Sequence, residues 1–159
     1  MRKWSFILVF MVVQNCLAQG KTILYLIRHA EKADQSTDPE LSPAGIARAA
    51  KWTAYFEKTP IDKFYSTNYK RTQQTCTPIA ASKKKEVQVY KPEELGLQKL
   101  IGDHPGKTIV IVGHSNSIPK HINQLLGNAT YETIPDSEFG RLYIVTSNNG
   151  KITTELIQL

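Results

Sequence analysis

The pattern of apolar runs in this chain predicts an α/β fold, a three-layer α/β/α sandwich built on a mainly parallel sheet. Two of those runs, Thr22 to Ile27 and Thr108 to Val112, are short, continuous and rich in β-branched residues, as strands buried on both faces are. Segments of helical length lie between them and the other strand-like runs. Strands that alternate with helices of ten or more residues pair in parallel and are covered on both faces. A third observation closes the pattern: two alternating runs, Leu142 to Thr146 and Ile152 to Leu156, flank Ser147-Asn148-Asn149-Gly150, a hairpin signal.

Before the first strand, residues 1–18 carry Arg2 and Lys3, an apolar stretch from Trp4 to Val13, and Cys16-Leu17-Ala18. This is the layout of a secretory signal peptide. The stretch is shorter than the roughly 20 residues of a permanent membrane helix. Cleavage after Ala18 is therefore expected, leaving a single domain over 19–159, secreted or periplasmic and with no stable membrane insertion. An uncleaved anchor or a buried first strand is the alternative reading. Lipid attachment at Cys16 is disfavoured, because Gln14 and Asn15 stand where small or aliphatic residues precede a lipid-bearing cysteine.

The strand at Thr22 to Ile27 ends abruptly in Arg28-His29-Ala30-Glu31, and Lys32 to Glu40 is polar loop. Ser42-Pro43 then starts a helix, serine as cap and proline at the first helical position, expected to run to Lys58. A short strand over Lys63 to Ser66 follows, then a helix from Tyr69 to Ala81 with Arg71 and Thr75 on adjoining turns. Val87 to Tyr90 reads as a third strand and Pro92 to Asp103 as a third helix, stopped by His104-Pro105-Gly106. The strand over Thr108 to Val112 ends in Gly113-His114-Ser115-Asn116, ahead of a helix from Ser117 to Leu126.

A chain of 159 residues with 41% hydrophobic content suits one packed domain. Its formal charge is +6, and loss of residues 1–18 leaves 18 basic and 14 acidic side chains. This modest surplus suits anionic substrates, yet the basic and aromatic pattern of a nucleic-acid groove is missing, so no nucleic-acid partner is expected. The one basic run, Lys83-Lys84-Lys85, reads as a solvated helix end. Without Cys16, Cys76 is alone and forms no internal disulfide. No cysteine and histidine cluster has metal-ligand spacing, so neither metal nor other cofactor is expected.

Ligands of such sheets bind beyond the carboxyl ends of the strands. Each of the two buried strands delivers a histidine there, His29 and His114, and a helix that begins nearby presents Arg71. Imidazoles and guanidiniums that converge at one sheet edge make a pocket for a doubly charged phosphoryl group, since arginine's planar fork binds oxygens in pairs.

In Arg28-His29-Ala30-Glu31, Leu41-Ser42-Pro43-Ala44-Gly45, the stretch Ser66-Thr67-Asn68-Tyr69-Lys70-Arg71-Thr72-Gln73-Gln74-Thr75, and Val112-Gly113-His114-Ser115-Asn116, the chain resembles the histidine phosphatase superfamily, the phosphoglycerate mutase-like family. Ala30 stands where most members have glycine. The four motifs keep the family's order over essentially the whole mature chain. The resemblance implies a phosphoglycerate mutase-like fold and a metal-independent phosphatase in which His29 attacks phosphorus, while Arg28, Arg71 and His114 surround the oxygens.

Asn116 is read either as a donor to a phosphate oxygen or as a plain helix cap. The family often supplies the leaving-group proton from a glutamate after the third strand, which points to Glu93 or Glu94, both also good first-turn residues. Glu31 either orients the site or pairs with Lys32, and Asp136 and Glu138 could face the pocket mouth. The expected substrate is a phosphorylated small molecule or phosphoprotein. A mutase-type phosphotransferase and a non-catalytic phosphate-binding module are the alternatives. The loops at 32–40, 91–96 and 128–140, expected to form the outer wall, carry no substrate signature, and nothing indicates the oligomeric state.

Overall fold

A computed structural model describes residues 20–159; the segment read as a signal peptide and its Cys16 lie outside them. Six strands form one sheet: β1 (Thr22–Arg28), β2 (Lys63–Thr67), β3 (Val87–Tyr90), β4 (Thr108–Gly113), β5 (Arg141–Asn148) and β6 (Lys151–Gln158). Their spatial order is β3-β2-β4-β1-β5-β6. The first four strands pair in parallel, and β5 and β6 add an antiparallel hairpin at one edge. The turn of that hairpin places Asn149 and Gly150 at φ of 49° and 79°, the left-handed pair that a tight hairpin requires.

Alternation along the strands divides the core in two. Leu24, Leu26, Ile109, Ile111, Tyr143 and Val145 point to one face, where helices α3 (Leu97–Asp103) and α4 (Ser117–Leu126) lie. Ile27, Val110, Val112 and Leu142 point to the other, beneath α1 (Pro43–Tyr55) and α2 (Lys70–Ser82). The central parts of β1 and β4, residues 23–27 and 109–112, are hydrophobic because both of their sides are covered. On the second face Cys76 is completely enclosed, and burial pushes its thiol up to about 12.

Helix α1 starts as its sequence dictates, with Ser42 Oγ accepting the Gly45 N–H at 3.1 Å and Pro43 in the first turn. It ends three residues before the expected Lys58, because the chain turns at Phe56 to seat that ring, fully buried, in the core. The expected helix over Pro92 to Asp103 is instead a single 3₁₀ turn, Pro92–Glu94, followed by α3. Leu95 and Gly96 are extended between them, and Leu95 packs on the core there. Lys83 caps α2, and Lys83 to Lys85 form the solvated end expected of them.

Candidate active site

Strands β1 and β4 are in register at Arg28 and Gly113, so the residue after each pair is a histidine at the same sheet edge. The His29 N–H continues the ladder to the Gly113 carbonyl at 3.0 Å. The rings of His29 and His114 lie edge to face with centroids 5.6 Å apart. Helix α2 starts at the end of β2 and brings Arg71 to the same place. Arg28, His29, Arg71, His114 and Asn116 all line one cavity of about 500 Å³.

The two imidazoles are held neutral. His29 donates Nδ1–H to the Ala30 carbonyl at 2.7 Å, which leaves its lone pair on Nε2. Burial, with Arg28, His114 and Arg71 close by, takes His29 down to about 3 despite that hydrogen bond. His114 is taken down to about 4 by burial and then by Arg71 and Arg28. Its Nε2 is bonded to Thr67 Oγ1 at 2.9 Å, and Tyr69 meets its ring edge-on at 5.2 Å.

The guanidiniums divide their donors between scaffold and cavity. Arg28 gives Nη1 to the carbonyls of Pro135, Asp136 and Glu138 at 2.8, 3.2 and 3.0 Å, and Nη2 to Asp136 Oδ1 at 3.3 Å. Phe139 lies against the guanidinium, 4.2 Å from ring centroid to Cζ. Arg71 sits over the Tyr69 ring at 4.3 Å, with Asp38 at 4.0 Å. Three buried nitrogens, Arg28 Nε and Arg71 Nε and Nη1, have no hydrogen-bond partner in the protein. Buried unpaired donors are costly, and cationic ones more so. Such a set is suited to an oxyanion.

Around this centre the chain is tied by hydroxyls. Thr75 Oγ1 accepts the Ala30 N–H at 3.0 Å and donates to the Arg71 carbonyl at 2.7 Å, joining the loop after β1 to the helix that carries Arg71. Thr67 and Thr72 share a hydrogen bond at 2.9 Å behind His114. The Gly45 of α1 touches the main chain of Glu31, where a Cβ would stand 2.2 Å from the Glu31 oxygen. No larger residue fits there.

Of the acidic residues, Asp136 lies at the cavity as expected and the others lie elsewhere. Glu31 is held by Arg48 of α1 through two bonds to Nε and one to Nη2, at 2.8, 2.9 and 2.6 Å, and not by Lys32. Glu93 and Glu94 lie on the exposed 3₁₀ turn; Glu94 pairs with Lys91, and it is Pro92 that reaches the cavity wall. Glu138 pairs with Arg141. Asp136 lines the cavity. Asn116 sits at the N-cap of α4, makes no capping bond, and is among the residues that line the cavity. Among the described residues no group of three or more potential metal ligands comes together. Tyr69 and Phe139 are site residues that sequence reasoning overlooked. Tyr69 adjoins the Arg71 motif and was within reach, whereas Phe139 meets Arg28 across 111 positions of chain with no local signal.

Residues 24–95, which hold His29 and Arg71, match the family model of the histidine phosphatase superfamily, branch 1. Over that segment, a little under half of the chain, the sequence is similar to the histidine phosphatase superfamily. His114 and Asn116 lie past the matched segment, and the register of β4 against β1 is what joins them to it. Solved structures with a similar fold include a phosphoserine phosphatase variant from Entamoeba histolytica in complex with phosphoserine, 23% identical over 84% of this chain and 94% of that one, with a TM-score of 0.69. A candidate phosphohistidine phosphatase from Agrobacterium tumefaciens is 20% identical over 86% and 97%, TM-score 0.64. A phosphoglycerate mutase from Bacillus anthracis is 12% identical over 88% and 94%, TM-score 0.67. At these identities the likeness is one of fold. Comparison with curated protein sequences returned no significant match.

Proposed function

We propose that this protein is a phosphohydrolase of the histidine phosphatase superfamily that cleaves phosphomonoesters, free or on protein, through a phosphohistidine on His29. One observation carries the reading: Arg28 and Arg71, which between them hold three buried guanidinium nitrogens without a hydrogen-bond partner, line a cavity with an imidazole whose tautomer leaves Nε2 nucleophilic. Two cations would neutralise the dianion, and a neutral ring can attack it.

In the reaction, Nε2 of His29 attacks phosphorus, the P–N bond forming as the ester P–O bond breaks. Arg28 Nε and Arg71 Nε and Nη1 hold the equatorial oxygens, and the amide of Asn116 and the ring of His114 complete the cradle. The Ala30 carbonyl, through the bond it accepts from Nδ1–H, stabilises the positive charge that develops on the ring. Water then attacks the phosphohistidine and frees His29. The charge is met by side chains, so this scheme uses no metal ion.

The substrate range fits the phosphatases among the structural neighbours, one of which was solved with phosphoserine. Brief incubation with a ³²P-labelled monoester followed by a quench should trap an acid-labile phosphoprotein that His29→Ala lacks. A protein that binds phosphate, shows no label and releases none would leave the non-catalytic binding module as the answer. We further propose that residues 1–18 direct export, a reading supported by their charged, apolar and small-residue order. N-terminal sequencing of the protein from the extracytoplasmic fraction should begin at residue 19, and a chain that retains Met1 there would refute cleavage.

A further inference from the structure

We infer that Asp136 is the proton donor to the leaving group, an assignment that rests on the phosphohistidine reading above. A phosphomonoester with an alkoxide leaving group needs a proton as its P–O bond breaks. His29 commits its one ring proton, on Nδ1, to the Ala30 carbonyl, and His114, buried beside Arg71 and Arg28, carries no additional one. The two glutamates expected to serve lie on an exposed turn outside the cavity lining. Asp136 is the carboxylate that lines the cavity among the described residues.

Its position is set by the strand that carries the nucleophile. Arg28 directly precedes His29 and grips the main chain of residue 136 and of its neighbours at 135 and 138 through one nitrogen. The Ile134 N–H adds a bond to the Ser115 carbonyl at 3.0 Å, beside His114. The backbone of the loop is thus fixed against both histidine motifs. The Asp136 side chain, by contrast, is 98% exposed and held only by a 3.3 Å contact to Arg28 Nη2. It can leave that contact at little cost. A phosphoryl dianion bound beside Arg28 would compete with the carboxylate for the guanidinium and free the Asp136 side chain to turn toward the ester oxygen.

The step then balances. Protonated Asp136 gives its proton to the ester oxygen as P–O breaks and the P–N bond to His29 forms, releasing an alcohol. The Asp136 carboxylate next accepts a proton from water as the water oxygen bonds to phosphorus and the P–N bond breaks. Inorganic phosphate leaves, and both residues are restored.

The test is kcat/KM, which reports events up to P–O cleavage, for wild type and Asp136→Asn on p-nitrophenyl phosphate and on alkyl monoesters such as phosphoserine. p-Nitrophenolate leaves without protonation, so the variant should keep its rate there within about fivefold while losing about 10²-fold or more on the alkyl esters. Asp136→Glu should recover part of the loss. An equal loss on both substrate classes would mean that Asp136 acts only through Arg28, and no loss on either would remove it from the reaction; each result overturns the inference while wild-type phosphoenzyme on His29 still stands. If wild type itself forms no phosphoenzyme and turns over neither substrate, the underlying reading falls, and this assignment with it.

Discussion

Replacing Thr75 by valine removes one hydroxyl and should weaken both the fold and the site. Thr75 and Ala30 are completely buried, and the Thr75 oxygen is the acceptor for the Ala30 N–H at 3.0 Å. Valine has the same branched shape, so no cavity opens and the helical backbone is little affected. The Arg71 carbonyl, which also loses the Thr75 hydroxyl, keeps the main-chain bond that an α-helix supplies four residues on. The loss is therefore one buried donor left without a partner, about 1–3 kcal/mol. In a domain of this size that lowers Tm by roughly 3–10 °C.

Activity should fall as well. Ala30 is the residue whose carbonyl orients His29, and small displacements of a nucleophile cost about 10²-fold. Thermal and urea unfolding together with kcat/KM on an aryl phosphate measure both effects. Thr75→Ser is the control: it keeps both hydrogen bonds, loses a methyl worth about 1 kcal/mol, and should retain wild-type kcat/KM. A valine variant within about 0.5 kcal/mol of wild type and equally active would refute the reasoning, as would a serine variant that is equally impaired in catalysis.

Three further outcomes are expected. Arg71→Met should leave the stability of the free protein unchanged within about 1 kcal/mol, since it removes partnerless buried donors, but abolish the rise in melting temperature caused by inorganic phosphate; an undiminished rise would count against the proposed anion site. Gly45→Ala places a Cβ 2.2 Å from the Glu31 main-chain oxygen and should cost more than about 2 kcal/mol by urea midpoint, so an unchanged midpoint would show that α1 is not seated as described. Because His29 and His114 are lowered to about 3 and about 4 from the ordinary 6.5, the unfolded chain binds more protons than the folded one between those values, and stability complete above about pH 6.5 should fall as pH drops toward 4 and 3. Urea midpoints measured across that range should show a shallower decline for His114→Gln, and an identical slope would refute the linkage.

The elements that place the nucleophile were legible in the sequence because their signals are local. Strands buried on both sides must be apolar along their length, and β1 and β4 announce both themselves and the polar residues at their ends. The interrupted helix was not legible, since Pro92, Glu93 and Glu94 favour a helix start and the pull of the core on Leu95 acts from across the fold. Of the two readings open for Glu31, pairing with Lys32 fails because consecutive residues of an extended chain point to opposite sides, while Arg48 is brought close by the packing of α1. The grip of Arg28 on residues 135, 136 and 138 left no trace at all. Its acceptors are main-chain carbonyls, which every residue type presents alike. The family resemblance points to Glu93 or Glu94 in the loop after β3 for the acid, whereas the carboxylate that lines the cavity is Asp136, in the loop before β5.

The enclosure of Cys76 offers an experimental handle. In a chain starting at residue 19 it is the sole thiol, and a maleimide or iodoacetamide in solution finds nothing to alkylate until α2 lifts from the sheet. The pace of its modification thus clocks the opening of the domain under native conditions. Any anion that occupies the cavity should slow that clock in proportion to its affinity, so candidate ligands can be ranked even when they are not turned over.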